Sequence, residues 1–250
     1  MKLIMTGVTG AAGSEMYRAA LADPAVTHIT VLARRALPDW MPRPTSDRPS
    51  LAVEVVPDFL AYPADLPARL AEHDACIWAL GRSAVGMSEE AYTEMTYGYV
   101  VHALDALEKG GVAARSAAAG TPFKFVFVSG EGADPEEKSW AMFGRIKGRT
   151  EKALTSLPAS SGISAAILRP AYFFPAFPAF RQNIRGAGAR ALDCTLGSVF
   201  STLTPALYTP VEQMGQFAVE LAKGRWGDET LFNNKRMRQL FPTLDTTGRQ

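Results

Sequence analysis

Three glycines at regular spacing stand near the start of the chain, in Gly7-Val8-Thr9-Gly10-Ala11-Ala12-Gly13. They follow a short apolar run, Lys2 to Thr6, and precede a stretch of helical composition. A turn of this kind between strand and helix suits a diphosphate. Glycine at the first position permits a tight turn. At the second it lets backbone approach the anion with no Cβ in the way. At the third it lets helix and strand pack closely. The helix start adds unpaired N–H groups and about half a positive charge. The expected cradle for a dinucleotide is Thr6, Gly7, Thr9, Gly10, Ala11, Ala12 and Gly13.

The next chemical signal is Arg34-Arg35, which ends a segment rich in β-branched residues. An NAD site carries Asp or Glu at that point, bonded to the ribose 2′-hydroxyl. Two guanidiniums stand here instead, and a guanidinium pairs well with a 2′-phosphate. A hydrogen bond to a charged group contributes about 1.5–3 kcal/mol, roughly ten- to a hundredfold in affinity. The expected cofactor is therefore NADP (NADPH). Asp58-Phe59 follows the third apolar run, where an adenine edge would lie. Asp58 either accepts from the adenine amino group or starts a turn after Pro57.

These residues need elements to position them. Strands are expected at Lys2–Thr6, His28–Ala33, Ala52–Val56, Ala75–Leu80, Phe123–Val128 and Ile163–Leu168. Helices are expected at Ala11–Ala22, Leu66–Glu72, Glu89–Lys109, Trp140–Leu157 and Glu212–Lys223. The alternation implies βαβ units, an α/β fold and a parallel sheet. Right-handed crossovers place ligands at the C-terminal strand ends. Ala79, Leu80 and Gly81 after the fourth strand and Pro170 after the sixth then join the cofactor contacts. Leu37 to Ser50, with four prolines, reads as a linker.

Composition bounds the alternatives. Of 250 residues, 47% are apolar, which argues against disorder, and the formal net charge is +1, which leaves no basic footprint for nucleic acid. A chain this long buries roughly 70–75% of its unfolded surface without disulfides or metals. Cys76 and Cys194 cannot build a disulfide framework or a four-ligand zinc site, and a cytoplasmic setting fits them. No metal site is expected, since His28, His73 and His102 sit in no ligand pattern. The apolar start is too short for a signal-peptide core. The charge-free stretch Cys194–Val211 is broken by Gly197, Pro205 and Pro210, so no membrane span is expected.

The order Thr6-Gly7-x-x-Gly10-x-x-Gly13, Arg34-Arg35, Asp58-Phe59, the strand into Ser129 and the later Lys147 resembles the short-chain dehydrogenase/reductase superfamily, in its extended and atypical branches. The stretch Cys76–Gly81, then Ser129–Asp134, then Lys147-Gly148 is similar to the HTATIP2-like branch of fungal and metazoan atypical members. The resemblance implies a Rossmann-type doubly wound sheet of order 3-2-1-4-5-6-7 with NADP across its C-terminal edge. It implies a single dinucleotide-binding domain over residues 1–250, with a substrate-side subdomain from about 170–210 and 225–250. It also implies a Tyr-x-x-x-Lys pair on the helix after the fifth strand and a Ser or Thr near that strand's end. The tyrosine would move a proton, the lysine would hold the nicotinamide ribose, and the hydroxyl would position the substrate oxygen.

The chain departs from that pattern where a proton must move. Phe143 stands four residues before Lys147, and none of the seven tyrosines has a lysine four residues later. The family's hydroxyl often falls one residue past Ser129, where this chain has Gly130. Hydride addition to a ketone leaves an alkoxide to protonate, and general acid catalysis contributes about 10²–10⁴-fold. Three outcomes stay open: another donor, an acceptor that needs none such as an activated alkene or imine, or no redox chemistry. Tyr172 is the first candidate donor, with Glu131, Tyr97 and Tyr99 behind it; each also fits ordinary packing. Pro170 to Phe180, with four phenylalanines and a tyrosine broken by prolines, cannot be a regular helix. It either roofs an apolar substrate cleft or packs a subdomain onto the sheet. Arg181 and Arg185 either meet an acidic group or face solvent. The expected function is an NADP-dependent oxidoreductase of a small, apolar substrate. The alternatives are a non-redox NADPH-binding module with a protein partner, and an isomerase or cyclase that uses the cofactor structurally.

Overall fold

The computed structural model describes residues 1–174, 183 and 207–244. Seven strands form one sheet in the order β3-β2-β1-β4-β5-β6-β7. They are β1 (Lys2–Thr6), β2 (His28–Ala33), β3 (Ser50–Val55), β4 (Ala75–Trp78), β5 (Phe123–Val128), β6 (Ile163–Arg169) and β7 (Leu231–Asn233). Every neighbouring pair is parallel. The order reverses between β1 and β4, which is where such sheets open a crevice at their C-terminal edge.

Both faces of a parallel sheet are covered, so its central strands carry apolar residues on both faces rather than alternating. Phe123–Val128 shows this: both faces of the strand bear apolar residues, and Phe125 and Val126 are fully buried. On one face Met5, Ile77 and Val126 pack with Met16, Met214 and Phe217. The last three come from α1 (Ala11–Ala22) and α7 (Val211–Ala222). On the other face Ile4, Trp78 and Phe125 pack with Leu70, Val100 and Leu104. These come from α2 (Leu66–Ala71) and α4 (Tyr99–Lys109).

The expected long helix over 89–109 is interrupted. It consists of α3 (Glu89–Thr93), a π-helical turn (Glu94–Gly98) and α4. The turn packs on α6 (Met142–Thr155), where the Thr150 hydroxyl donates to Ile146 O of its own helix at 2.9 Å and lies 3.3 Å from Thr96 O across the contact. Three elements carry no strong periodic signal and escaped the sequence reading: α5 (Val112–Ala119), β7 and α8 (Asn234–Leu240). The seventh strand implied by the resemblance falls at Leu231–Asn233, inside the stretch expected on the substrate side. Among the described residues no helix is long and apolar enough to cross a membrane.

Candidate functional site

The loop after β1 is shaped by what glycine lacks. Gly7 has φ +66°, and a Cβ there would collide with Ala79 O; a Cβ on Gly13 would collide with Gly7 O. The first clash would force β4's outgoing chain away, and the second would lift α1 from the loop. Gly10 caps α1 with no side-chain hydrogen bond, so the first-turn N–H groups have no capping side chain. Thr6 is fully buried, and its Oγ1 accepts from Leu80 N at 3.2 Å. It therefore fixes the neighbouring loop and does not itself face a ligand.

Two clefts meet over this loop. One of about 180 Å³ is lined by Gly7, Val8, Thr9, Gly10, Leu32, Ala33, Arg34 and Ala79-Leu80-Gly81. The other, about 580 Å³, continues from Gly10, Ala11, Ala12 and Ala79–Ser83. It runs to Ser129–Glu131, Phe143, Lys147 and Pro170–Phe173. Gly10, Ala79, Leu80 and Gly81 line both. Together they trace the C-terminal edge of the sheet from β2 to β6.

At the first end Arg34 is exposed, lines the cleft and makes no hydrogen bond or ion pair among the described residues. Arg35 is exposed beside it and lines neither cleft. Asp58 is exposed, and its Oδ1 accepts from Leu60 N at 2.8 Å, so the carboxylate shapes its own turn. Phe59 is fully buried and stacks on Tyr99 with ring centroids 5.5 Å apart. Its side chain belongs to the core, and only its backbone is left to meet a nucleotide. The Arg34 guanidinium and the Asp58 carboxylate both act on Tyr99, whose hydroxyl burial pushes up first of all.

At the other end stands Lys147, 7% exposed. Its Nζ donates to Val128 O at 2.9 Å and lies 4.7 Å from the centroid of the Phe127 ring. Burial pushes the ammonium down to about 8, while the Glu151 carboxylate one turn along α6 pulls it back up. Glu151 is held in turn by Arg169, whose Nε lies 2.9 and 3.1 Å from the two carboxylate oxygens. That pair, with Glu151 buried and Arg169 half-buried, ties α6 to the end of β6, beside Pro170. Ser129 N donates to Leu168 O at 2.8 Å, yet Ser129 Oγ is buried and has no partner among the described residues. A buried hydroxyl normally finds one, and this one belongs to a residue lining the cleft.

Phe143 and Gly130, the two departures from the family pattern, touch each other. A Cβ on Gly130 would lie 2.7 Å from Phe143 Cζ and 3.6 Å from both ring carbons beside it. It would thus sit on the long axis of the ring, so Phe143 points end-on at Gly130. A para-hydroxyl on that ring would enter the space above Gly130. The ring at position 143 and the bare backbone at position 130 form one packing arrangement.

Among the replacement donors, Tyr172 and Glu131 line the large cleft. Tyr97 and Tyr99 do not: Tyr99 packs on Phe59, and the Arg149 guanidinium lies 5.9 Å from the Tyr97 ring centroid. Glu131 Oε1 accepts from Asn234 N at 2.9 Å, so the carboxylate caps the start of α8. Tyr172 is set by backbone. Its N donates to Leu207 O at 3.1 Å, its O accepts from Thr209 N at 2.9 Å, and the buried Thr209 hydroxyl accepts from Ala171 N at 2.9 Å. Arg181, Arg185 and the far part of the aromatic segment, 175–180, lie outside the described residues. The sequence reading missed Arg82 and Ser83 as lining residues. The only signal for them was their place after β4.

No protein-family model and no curated protein sequence matches the chain. Solved structures do. An oxidoreductase of the short-chain dehydrogenase/reductase family from Burkholderia thailandensis superposes with TM-score 0.65 at 17% identity, covering 98% of each chain. The fold is that of short-chain dehydrogenase/reductase structures. A Pseudomonas aeruginosa RhlG/NADP active-site complex matches with TM-score 0.62 at 17% identity, over 93% of this chain and 94% of that one. MoeE5 in complex with UDP-glucuronic acid and NAD matches with TM-score 0.63 at 16% identity, over 94% and 76%. An oxidoreductase and a UDP-glucuronic acid 4-epimerase occur among these neighbours, and complexes with NAD or with NADP are found among them.

Proposed function

We propose that the chain is an NADP-dependent oxidoreductase acting on a small, apolar substrate. The observation that carries this reading is the continuous groove from Arg34, over the uncapped start of α1, to Lys147. The residues fit the cofactor: backbone with no Cβ faces the groove at Gly7 and Gly10, an unpaired guanidinium stands at one end, and an orphaned hydroxyl and a buried ammonium stand at the other. Bound there, the reduced dinucleotide supplies a hydride.

The chain's own residues do the rest. The α1 N-terminus and glycine-loop amides hold the diphosphate. Arg34 holds the 2′-phosphate and sets NADP above NAD. Asp58 has one carboxylate oxygen outside its turn for the adenine amino group. Lys147, anchored on Val128 O, keeps N–H donors for the nicotinamide ribose and a positive charge at the reacting end. Phe143, Tyr172, Phe173 and Pro170 exclude water from the larger cleft. The small count of cysteines keeps the cytoplasm as the setting of this reading.

Fluorescence titration tests it. NADPH should bind at least tenfold more tightly than NADH, and Arg34→Ala should remove about ten- to a hundredfold of NADPH affinity while leaving NADH nearly unchanged. Equal affinity for both nucleotides in the parent chain would overturn the NADP assignment. The end-on packing of Phe143 on Gly130 favours one second reading, a chain that binds the nucleotide and performs no hydride transfer. It would act as a regulatory module for a protein partner, or as an isomerase or cyclase. Tight NADPH binding with no oxidation by any carbonyl, enone or imine would select it.

A further inference from the structure

Phe143 and Lys147 stand about one turn apart on the same side of α6, and both line the large cleft. The first has no acidic hydrogen, and its ring packs end-on at Gly130. The second has three N–H donors. One goes to Val128 O at 2.9 Å, the Phe127 ring centroid lies 4.7 Å from Nζ, and no other acceptor is found among the described residues. The ammonium thereby reaches the gap between the ends of β4 and β5. A Cβ on Gly81, just past β4, would lie 3.8 Å from Nζ. Apart from Gly81's chain neighbours, no other heavy atom of the described residues would stand within 4 Å of it. Bare backbone at Gly81 thus leaves room beside Nζ. The orphaned hydroxyl of Ser129 belongs to the same cleft wall. Tyr172 lines the cleft one strand further on, past the end of β6.

We propose that Lys147 is the catalytic acid of the reductase, giving a proton from Nζ to the carbonyl oxygen of a ketone or aldehyde. The inference rests on the reductase reading above and names its proton donor. In the reaction the carbonyl carbon receives a hydride from the bound reduced dinucleotide, which is oxidised. The carbon–oxygen π pair takes the proton, so an Nζ–H bond breaks and an O–H bond forms. The alcohol leaves. Lys147 is left a neutral amine, and its remaining N–H groups still serve Val128 O. Water restores the proton before the next turnover. Burial favours the step, since a dry site disfavours the charged form. It holds the ammonium at about 8, so the acid is mostly protonated at pH 7 and near the range that suits proton transfer. The charged and titratable groups around it are Glu151 on its own helix, Arg169 behind Glu151, Arg82 past β4, Glu131 past β5 and Tyr172 past β6. Of these Glu151 acts on the ammonium, raising it against burial.

The test offers cyclohexanone, acetophenone and benzaldehyde to the NADPH-saturated protein, with NADPH binding followed separately by fluorescence. For a carbonyl that is reduced, kcat/KM should be level below about pH 8 and fall above it as Lys147 loses its proton. Lys147→Arg keeps the charge and the donors but does not release its proton in that range. It should bind NADPH within about threefold of the parent, lose about 10²–10⁴-fold in kcat and show no break near pH 8. Added ethylamine should return rate to Lys147→Ala, which a merely structural lysine would not allow. A readout that needs no turnover is ¹⁵N NMR of the lysine amines. One resonance of the parent chain should titrate near pH 8 and be missing from Lys147→Met. A Lys147→Arg chain with the parent's kcat would overturn the assignment and leave the reductase reading standing. So would a break near pH 8 that vanishes in Tyr172→Phe, which would give the proton to the phenol. NADPH bound with no carbonyl reduced would overturn the assignment, and if enones and imines are refused as well, the redox half of that reading falls with it. Failure to bind NADPH would overturn the cofactor site itself.

Discussion

Lys147 is placed at the cost of stability. Its ammonium is desolvated, and among the described residues the Val128 carbonyl, the Phe127 ring and the more distant Glu151 compensate. Because its proton is held less tightly folded than unfolded, the unfolded chain binds more protons between pH 8 and the ordinary lysine range. Stability therefore rises with pH across that window, and the full penalty acts below it. Lys147→Met should make the chain more stable at pH 7, by about 1–3 kcal/mol after the lost hydrogen bond to Val128 O. It should also weaken NADPH binding. Thermal unfolding and fluorescence titration of the same variant check both halves. A variant that loses stability and keeps the cofactor would mean that the lysine is structural. This trade is common where a site needs a charge in a dry place.

At the scale of elements, α6 decides where Phe143 and Lys147 point. The helix lies so close to the loop after β5 that a Cβ on Gly144 would stand 2.7 Å from Gly132 O, and one on Gly148 would collide with Asp134 O. Asp134 braces that loop by accepting from Glu136 N at 3.0 Å, Lys138 N at 2.8 Å and Ser139 N at 2.7 Å. These amides hold its carboxyl below the ordinary carboxylate range, against the burial that raises it. Gly148→Ala must push helix and loop apart, for overpacking of this kind costs about 1–3 kcal/mol. Shifting α6 also tilts Lys147 from Val128 O. We expect a lower unfolding midpoint together with weaker NADPH binding in that variant. Unchanged nucleotide affinity would show that the lysine is positioned independently of the helix contact. The glycines at 144 and 148 are plain in the sequence, but nothing there says that a loop passes beneath them.

At the scale of the whole molecule, the far edge of the sheet carries its own titrating unit. His73 Nδ1 faces Arg69 O at 3.0 Å and Leu70 O at 3.1 Å, so it carries the proton and donates. Nε2 must then accept from Thr30 Oγ1 at 2.7 Å, and that oxygen accepts from His28 Nε2 at 3.0 Å. Ser50 Oγ, 2.7 Å from His28 Nδ1, completes the chain of bonds. Burial, above all, holds His73 down to about 4. The unfolded chain takes up this proton first, so stability is full above pH 6.5 and is lost as pH falls from there towards 4. Urea unfolding between pH 7 and 4 should show a loss of about 3 kcal/mol from this group, and His73→Asn should flatten that part of the profile. A parent chain with no such slope would refute the burial of a neutral His73. This unit lies at the opposite strand ends from the nucleotide groove, so the same series should leave NADPH affinity per folded molecule unaffected by the substitution.

The first strand, the glycine turn, the first helix and Arg34 were legible in the linear order because each depends on neighbours a few residues away. Hydrophobic run, turn chemistry and helix start are local, and Lys2–Thr6, Ala11–Ala22 and His28–Ala33 fall where expected. The parallel sheet followed from the alternation of strand and helix. Three-dimensional packing decided the rest. Thr6 and Phe59 face inward because β4 and α4 lie against them. Glu131 is tied to a helix start 103 residues away along the chain. Phe143 fits because position 130, on another element, has no side chain. Such facts depend on which surfaces meet across long sequence separations, and no local pattern of residue types encodes that meeting.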